Sequence, residues 1–100
     1  MIDLGMRLGR TTVALLVAIA QECDRTLRVH VQLYPAIGDR YLPTNIKLSL
    51  ISDTGENLHE VESTVQNLCI LLNDFHVEPD ESFSIRVALD DLSITENFVV

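Results

Sequence analysis

The sequence is poor in the residues on which most functions of a small protein depend. Seven lysines and arginines face 15 aspartates and glutamates, a formal net charge of −8. No cluster of the seven offsets that charge. A nucleic-acid backbone would be repelled, and an anionic membrane surface is disfavoured for the same reason. There are two cysteines, Cys23 in a turn-like stretch and Cys69 inside an apolar run, and no Cys-x-x-Cys. Zinc and redox motifs are therefore not indicated. The two could pair, but small secreted scaffolds carry more bridges than one, so two free thiols are expected. The four glycines, Gly5, Gly9, Gly38 and Gly55, build no phosphate-cradling loop, and no Gly-x-Ser-x-Gly is present. Tryptophan is absent and only five side chains are aromatic, which leaves little for the exposed ring platforms of sugar-binding sandwiches. The longest apolar run, Val13 to Ala20, is far short of the ~20 residues that span a bilayer.

What remains is an ordinary globular composition, 47% apolar and 22% charged. One hundred residues make a single domain over 1–100, able to bury roughly 60–70% of its unfolded surface. Its dominant rhythm has period two. Leu27, Val29, Val31 and Leu33 alternate with Arg28, His30, Gln32 and Tyr34. Ile46, Leu48 and Leu50 do the same against Lys47 and Ser49, and Phe83, Ile85, Val87 and Leu89 against Ser84, Arg86 and Ala88. Such alternation predicts strands with one dry and one wet face. Val13 to Ala20 is apolar on both phases and suits a central strand covered on both sides. Helical spacing is not sustained anywhere.

Turn chemistry separates these runs at Glu22–Arg25, around Gly38, Asp39 and Pro43, at Asp53–Gly55, at Glu78–Glu81 and at Asp90–Asp91. Strands at 8–15-residue spacing predict an all-β, mostly antiparallel β-sandwich of seven or eight strands, immunoglobulin-like in outline. The expected inner faces are Val13, Leu15 and Val17; Leu27, Val29 and Val31; Ile46, Leu48 and Leu50; Ile70 and Leu72; Phe83, Ile85 and Val87; Ile94 and Phe98. Two features sit badly with this pattern. Glu96 falls on the inward phase of its strand. Either a bulge at Thr95–Glu96 shifts the phase or Arg86 or Arg28 pairs with it, and the bulge is the expectation. Leu16, Ile51 and Leu71 are large and out of phase with the inner set. Either they form an outer patch that wants a partner, or sheet edges and loops cover them.

Candidate chemistry is sparse. Asp53-Thr54-Gly55 is the tripeptide that presents the catalytic carboxylate in aspartic proteases, whose shortest members work as homodimers. No glycine follows Gly55 to supply a flap or a supporting segment, and Glu56 would add a further charge beside the carboxylate pair. A hairpin with Asp53 capping the turn and Gly55 at positive φ is expected instead. The histidines, His30, His59 and His76, lack metal-type spacing. Glu60 and Glu62 read as a solvated acidic edge. Tyr34 and Tyr41 flank one loop with Asp39 between them, a candidate contact for a carbohydrate or a cation. Arg7 and Arg10 before TTVALLVAIAQ, with Ala18-Ile19-Ala20, outline a secretory signal peptide. Asp3, Gly5 and Gly9 argue against that outline, and cleavage would remove a fifth of the chain.

The segments IDLGMRLG, TVALLVAIA, YLPTNIKLSLISDTGENLHEVES and ESFSIRVALDDLSITENFV, in this order, resemble the C-terminal region of a cyanobacterial family known as domain of unknown function 1822. The resemblance covers nearly the whole chain. It implies a piece of a longer cytoplasmic protein whose helical-looking N-terminal part is missing here, and it makes TVALLVAIA a core strand, not an export signal. Departures are local: Asp80 stands where relatives tend to have glycine, and Cys69 where they have a polar or aromatic residue. No activity or site residue comes with the family. The expected function is a non-enzymatic interaction module without cofactor, docking onto its own N-terminal region, another protein or a second copy. The mechanism would be burial of Leu16, Ile51 and Leu71 or pairing at a free sheet edge.

Overall fold

Side chains that alternate apolar and polar at period two bury one phase by extending, and the runs that alternate do so here. The computed structural model describes residues 2–22, 24–35, 41–64 and 68–99, so Cys23 and Asp39 lie outside the described residues. Nine strands lie among the described residues, in order: β1 (Ile2–Leu8), β2 (Thr11–Gln21), β3 (Leu27–Pro35), β4 (Lys47–Ser52), β5 (Asn57–Glu62), β6 (Ile70–Leu71), β7 (Phe75–Val77), β8 (Ser82–Leu89) and β9 (Leu92–Val99). No helix occurs among the described residues. The first sheet is ordered β1-β2-β3-β6, with β7 also on β3; the second is ordered β5-β4-β8-β9. All pairings are antiparallel. The chain crosses between the sheets three times, from β3 to β4, from β5 to β6 and from β7 to β8. Because β3 pairs with β7 and β4 with β8, the first and last of these crossings interlock the layers.

The strand count exceeds the expected seven or eight because the Ile70 strand is split. Ile70 pairs with Leu33 and Phe75 with Val29. Five steps along β6–β7 thus face four along β3, which leaves one extra residue at Asn73–Asp74, a β-bulge. The slip flips the phase. Leu72 points inward before it, and Phe75 and Val77 after it. The Leu72 amide still donates to the Val31 carbonyl at 3.1 Å.

The core lies between the sheets. Every expected inner residue is buried there or packs against it, Leu27 and Ile94 at its margin. Val13, Leu15, Val17, Val29, Val31, Ile46, Leu48, Leu72, Ile85 and Val87 are essentially sealed from water. Complete burial of such a side chain contributes about 1.5–3 kcal/mol. Met6, Leu8, Leu42 and Val77 join them. At one end Phe83 stacks on Phe98 and meets Phe75 edge-on, both pairs with ring centroids 5.2 Å apart.

Two local expectations need correction. No bulge occurs at Thr95–Glu96, because the β8–β9 ladder is regular from Ser82↔Val99 to Leu89↔Leu92. Glu96 does lie on the inward phase, opposite Ile85, but β9 is an edge strand, so its side chain is only half-buried. An inward charge on an edge strand discourages pairing with other chains. Second, β2 is central, between β1 and β3, but it is not covered on both faces: outward Leu16 is half-buried and Ala20 exposed. The residues that outline a signal peptide form this strand.

Candidate functional site: the outer face of the first sheet

Sequence alternation fixes which side chains of β2 and β3 look away from the core. On β2 these are Ala14, Leu16, Ala18 and Ala20; on β3 they are Arg28, His30, Gln32 and Tyr34. Register places them in rows. Asp3, Leu16, Gln32 and Leu71 form one row across four strands. Gly5, Ala14 and Tyr34 form the row on one side of it; on the other side come Ala18 with His30, then Ala20, Arg28 and His76. A Cβ placed on Gly5 would meet nothing within 4 Å. The outward residues of β2, from Ala14 to Ala20, with Gly5 beside them, thus make a low apolar strip that carries Leu16, and the charged Asp3 and Arg7 of β1 border it.

Beside this strip runs a polar file. The Tyr34 hydroxyl donates to Gln32 Oε1 at 2.8 Å. His30 Nδ1 donates to Asp74 Oδ1 at 2.7 Å. Arg28 Nε lies 3.5 Å from Glu22 and 3.9 Å from Asp74, and His76 Nε2 lies 3.6 Å from Glu22. The bulge at Asn73–Asp74 explains the arrangement, because its extra residue brings the Asp74 carboxylate against His30. The hydrogen bond to Asp74 raises the His30 pKa above the ordinary imidazole value, against the opposing effect of desolvation. The same bond holds the Asp74 carboxyl below the usual carboxylate range.

Of the three residues expected on an outer patch, Leu16 and Leu71 flank Gln32 on this face, and Leu71 is 45% exposed. Ile51 does not join them. It sits on β4, opposite Ser84 on the outward phase of the other sheet, and is 5% exposed. Tyr34 belongs to the same face as Leu16, and Tyr41 is exposed to a similar degree. The third residue of the expected ligand loop, Asp39, is outside the described residues.

The second sheet presents a different outer face. Lys47, Glu60, Glu62, Ser84 and Arg86 populate it, and the Ser49 hydroxyl donates to Glu60 Oε1 at 2.9 Å. Both signs of charge are mixed there, as on a solvated sheet. Glu60 and Glu62 share this edge-strand surface, as expected. Among the described residues no group of three or more histidines, cysteines, aspartates and glutamates is placed to hold a metal ion.

The Asp53 stretch is a hairpin between β4 and β5. Gly55 takes φ of +89° and its amide donates to the Ser52 carbonyl at 3.0 Å. The side-chain cap comes from Ser52, not from the expected Asp53: Ser52 Oγ accepts from the Glu56 amide at 3.0 Å. Cys69 carries a free, half-buried thiol.

A family model described as a protein of unknown function, DUF1822, matches residues 1–99. The chain belongs to the DUF1822 family. No curated protein and no solved structure matches it. The antiparallel two-sheet sandwich is thus the description this DUF1822 chain supplies for itself. Among its described residues no helix is long and apolar enough to cross a membrane. The sequence pattern had exposed the polarity of β3, but not the His30–Asp74 contact. A one-residue bulge in the facing strand makes that contact, and neither Asn73 nor Asp74 announces which of them is extra.

Proposed function

We propose that this DUF1822 chain is a non-enzymatic interaction module, immunoglobulin-like in outline. It serves a longer cytoplasmic protein and docks through the outer face of its first sheet. The partner is the N-terminal remainder of its own polypeptide or another protein. The contrast between the two outer faces carries this reading. One carries mixed charges over β4, β5 and β8, whereas the other sets the low Gly5–Ala14–Leu16–Ala18 strip between the charged Asp3 and Arg7 of β1 and an ordered polar file. A flat apolar strip rimmed by polar groups is what a docking surface offers. The carbohydrate or cation reading has less support, because the Tyr34 hydroxyl is already donated to Gln32.

The test is sedimentation of the 100-residue chain, alone and mixed with the N-terminal region of the full-length protein. Association is expected, and Leu16→Asp together with Leu71→Asp should weaken it at least about tenfold, since each removes apolar burial worth on the order of 1.5–3 kcal/mol. A chain that stays strictly monomeric and shows no affinity for that region would overturn the reading.

A further inference from the structure

A second feature lies at the end of the sandwich, where the β4–β5 hairpin approaches the β7–β8 turn. A cavity of about 160 Å³ opens there. Its floor is apolar, formed by Leu50, Phe75, Val77 and Phe83. Phe83 is held in place by its contacts with Phe75 and Phe98. One wall is Leu58, 55% exposed. The position of Leu58 has a structural cause. Leu50 pairs with His59 but Ile51 with Asn57, so Leu58 is the extra residue of a bulge, and bulges re-aim side chains. Among the described residues the mouth carries Asp53 and Glu81, with His76 as its one basic group. Apolar cavities near 150 Å³ accept a single benzene-sized group.

We propose that this cavity receives one apolar side chain, of leucine or phenylalanine size, from a basic segment of a partner protein. The floor desolvates the anchor. Asp53 and Glu81 then face lysines or arginines on either side of it, on a molecule whose net charge of −8 draws in cationic partners. An acidic peptide would meet like charge at the mouth. Of its lining residues the cavity shares His76 with the outer face of the first sheet, and it needs no partner there.

The experiment uses a fluorescein-labelled peptide in which two lysines flank a central phenylalanine on each side, read by anisotropy and by amide shifts in the 100-residue chain. Shifts should concentrate at Leu58, Val77 and Ser82. Replacing the peptide's phenylalanine by alanine, or changing Leu58→Lys on the protein, should weaken binding at least about tenfold. Asp53→Lys combined with Glu81→Lys should weaken binding and reduce its salt dependence. Leu16→Asp should leave this binding unchanged, so failure of the outer-face reading and failure of this one are distinguishable. Equal binding of the alanine peptide, shifts spread over the first sheet, or no shift at millimolar peptide would each overturn the proposal.

Discussion

Ser63 shows how much one small side chain can hold. It is 1% exposed, just past the end of β5. Its amide donates to the Ile46 carbonyl at 2.9 Å, and its Oγ accepts from the Ile46 amide at 3.0 Å. The same hydroxyl donates to the Pro43 carbonyl, and the Ser63 carbonyl accepts from Asn45 at 3.1 Å. Ser63→Ala would strip the Ile46 amide and the Pro43 carbonyl of a side-chain partner where water is excluded. A loss of about 1–3 kcal/mol is expected, measured by urea unfolding. A variant within about 0.5 kcal/mol of the parent would contradict this account of the Pro43–Ile46 segment. Nothing in the sequence singles out Ser63, because a serine at a strand end looks the same whether it is solvated or sealed. Ile51 makes the converse point. Its out-of-phase position left an outer patch and a covered site both open; its strand runs inside its sheet, between β5 and β8, and Ile51 is buried. Phase says which face a side chain takes; only strand order says what lies beside it.

At the scale of elements, strands with strict alternation were legible because a one-residue slip would carry every large side chain to the wrong face. β3, β4 and β8 are of this kind, and their inner residues match expectation without exception. The Ile70 strand was legible with Ile70 and Leu72 inward, but its division into β6 and β7 was not, because its phase changes midway. That bulge is fastened by His30 and Asp74, and its fastening should depend on pH. The His30 pKa is raised in the folded state, so its contribution is complete below the unfolded imidazole value of ~6.5 and disappears as pH rises through the folded value. Asp74 is lowered, so its contribution is present above the unfolded carboxyl value of ~3.9 and is lost as pH falls through the folded one. In an NMR titration the His30 midpoint should lie above the ordinary value, and Asp74→Asn should bring it back down. A midpoint indifferent to Asp74→Asn would mean that the pair does not hold the bulge.

The whole molecule carries 15 acidic against 7 basic residues within principal extents of 40 × 25 × 20 Å. At about 0.01 M salt the screening length is ~30 Å, longer than two of those dimensions, so most like charges feel one another; at 0.15 M it falls to ~8 Å. The unfolded chain spreads the same charges apart and suffers less repulsion, so folding at low salt works against the net charge of −8. The ion pairs seen among the described residues gather around Glu22, Arg28 and Asp74 and are solvent-exposed, where such pairs contribute about 0–1 kcal/mol. Repulsion over the whole surface should therefore outweigh attraction at this one cluster. Raising sodium chloride from about 0.01 to 0.15 M is expected to stabilise the fold by on the order of 1 kcal/mol, an increase of about 4–8 °C in melting temperature. A melting temperature that falls across this range would show that the polar file on the first sheet, not the net charge, governs the electrostatics of folding.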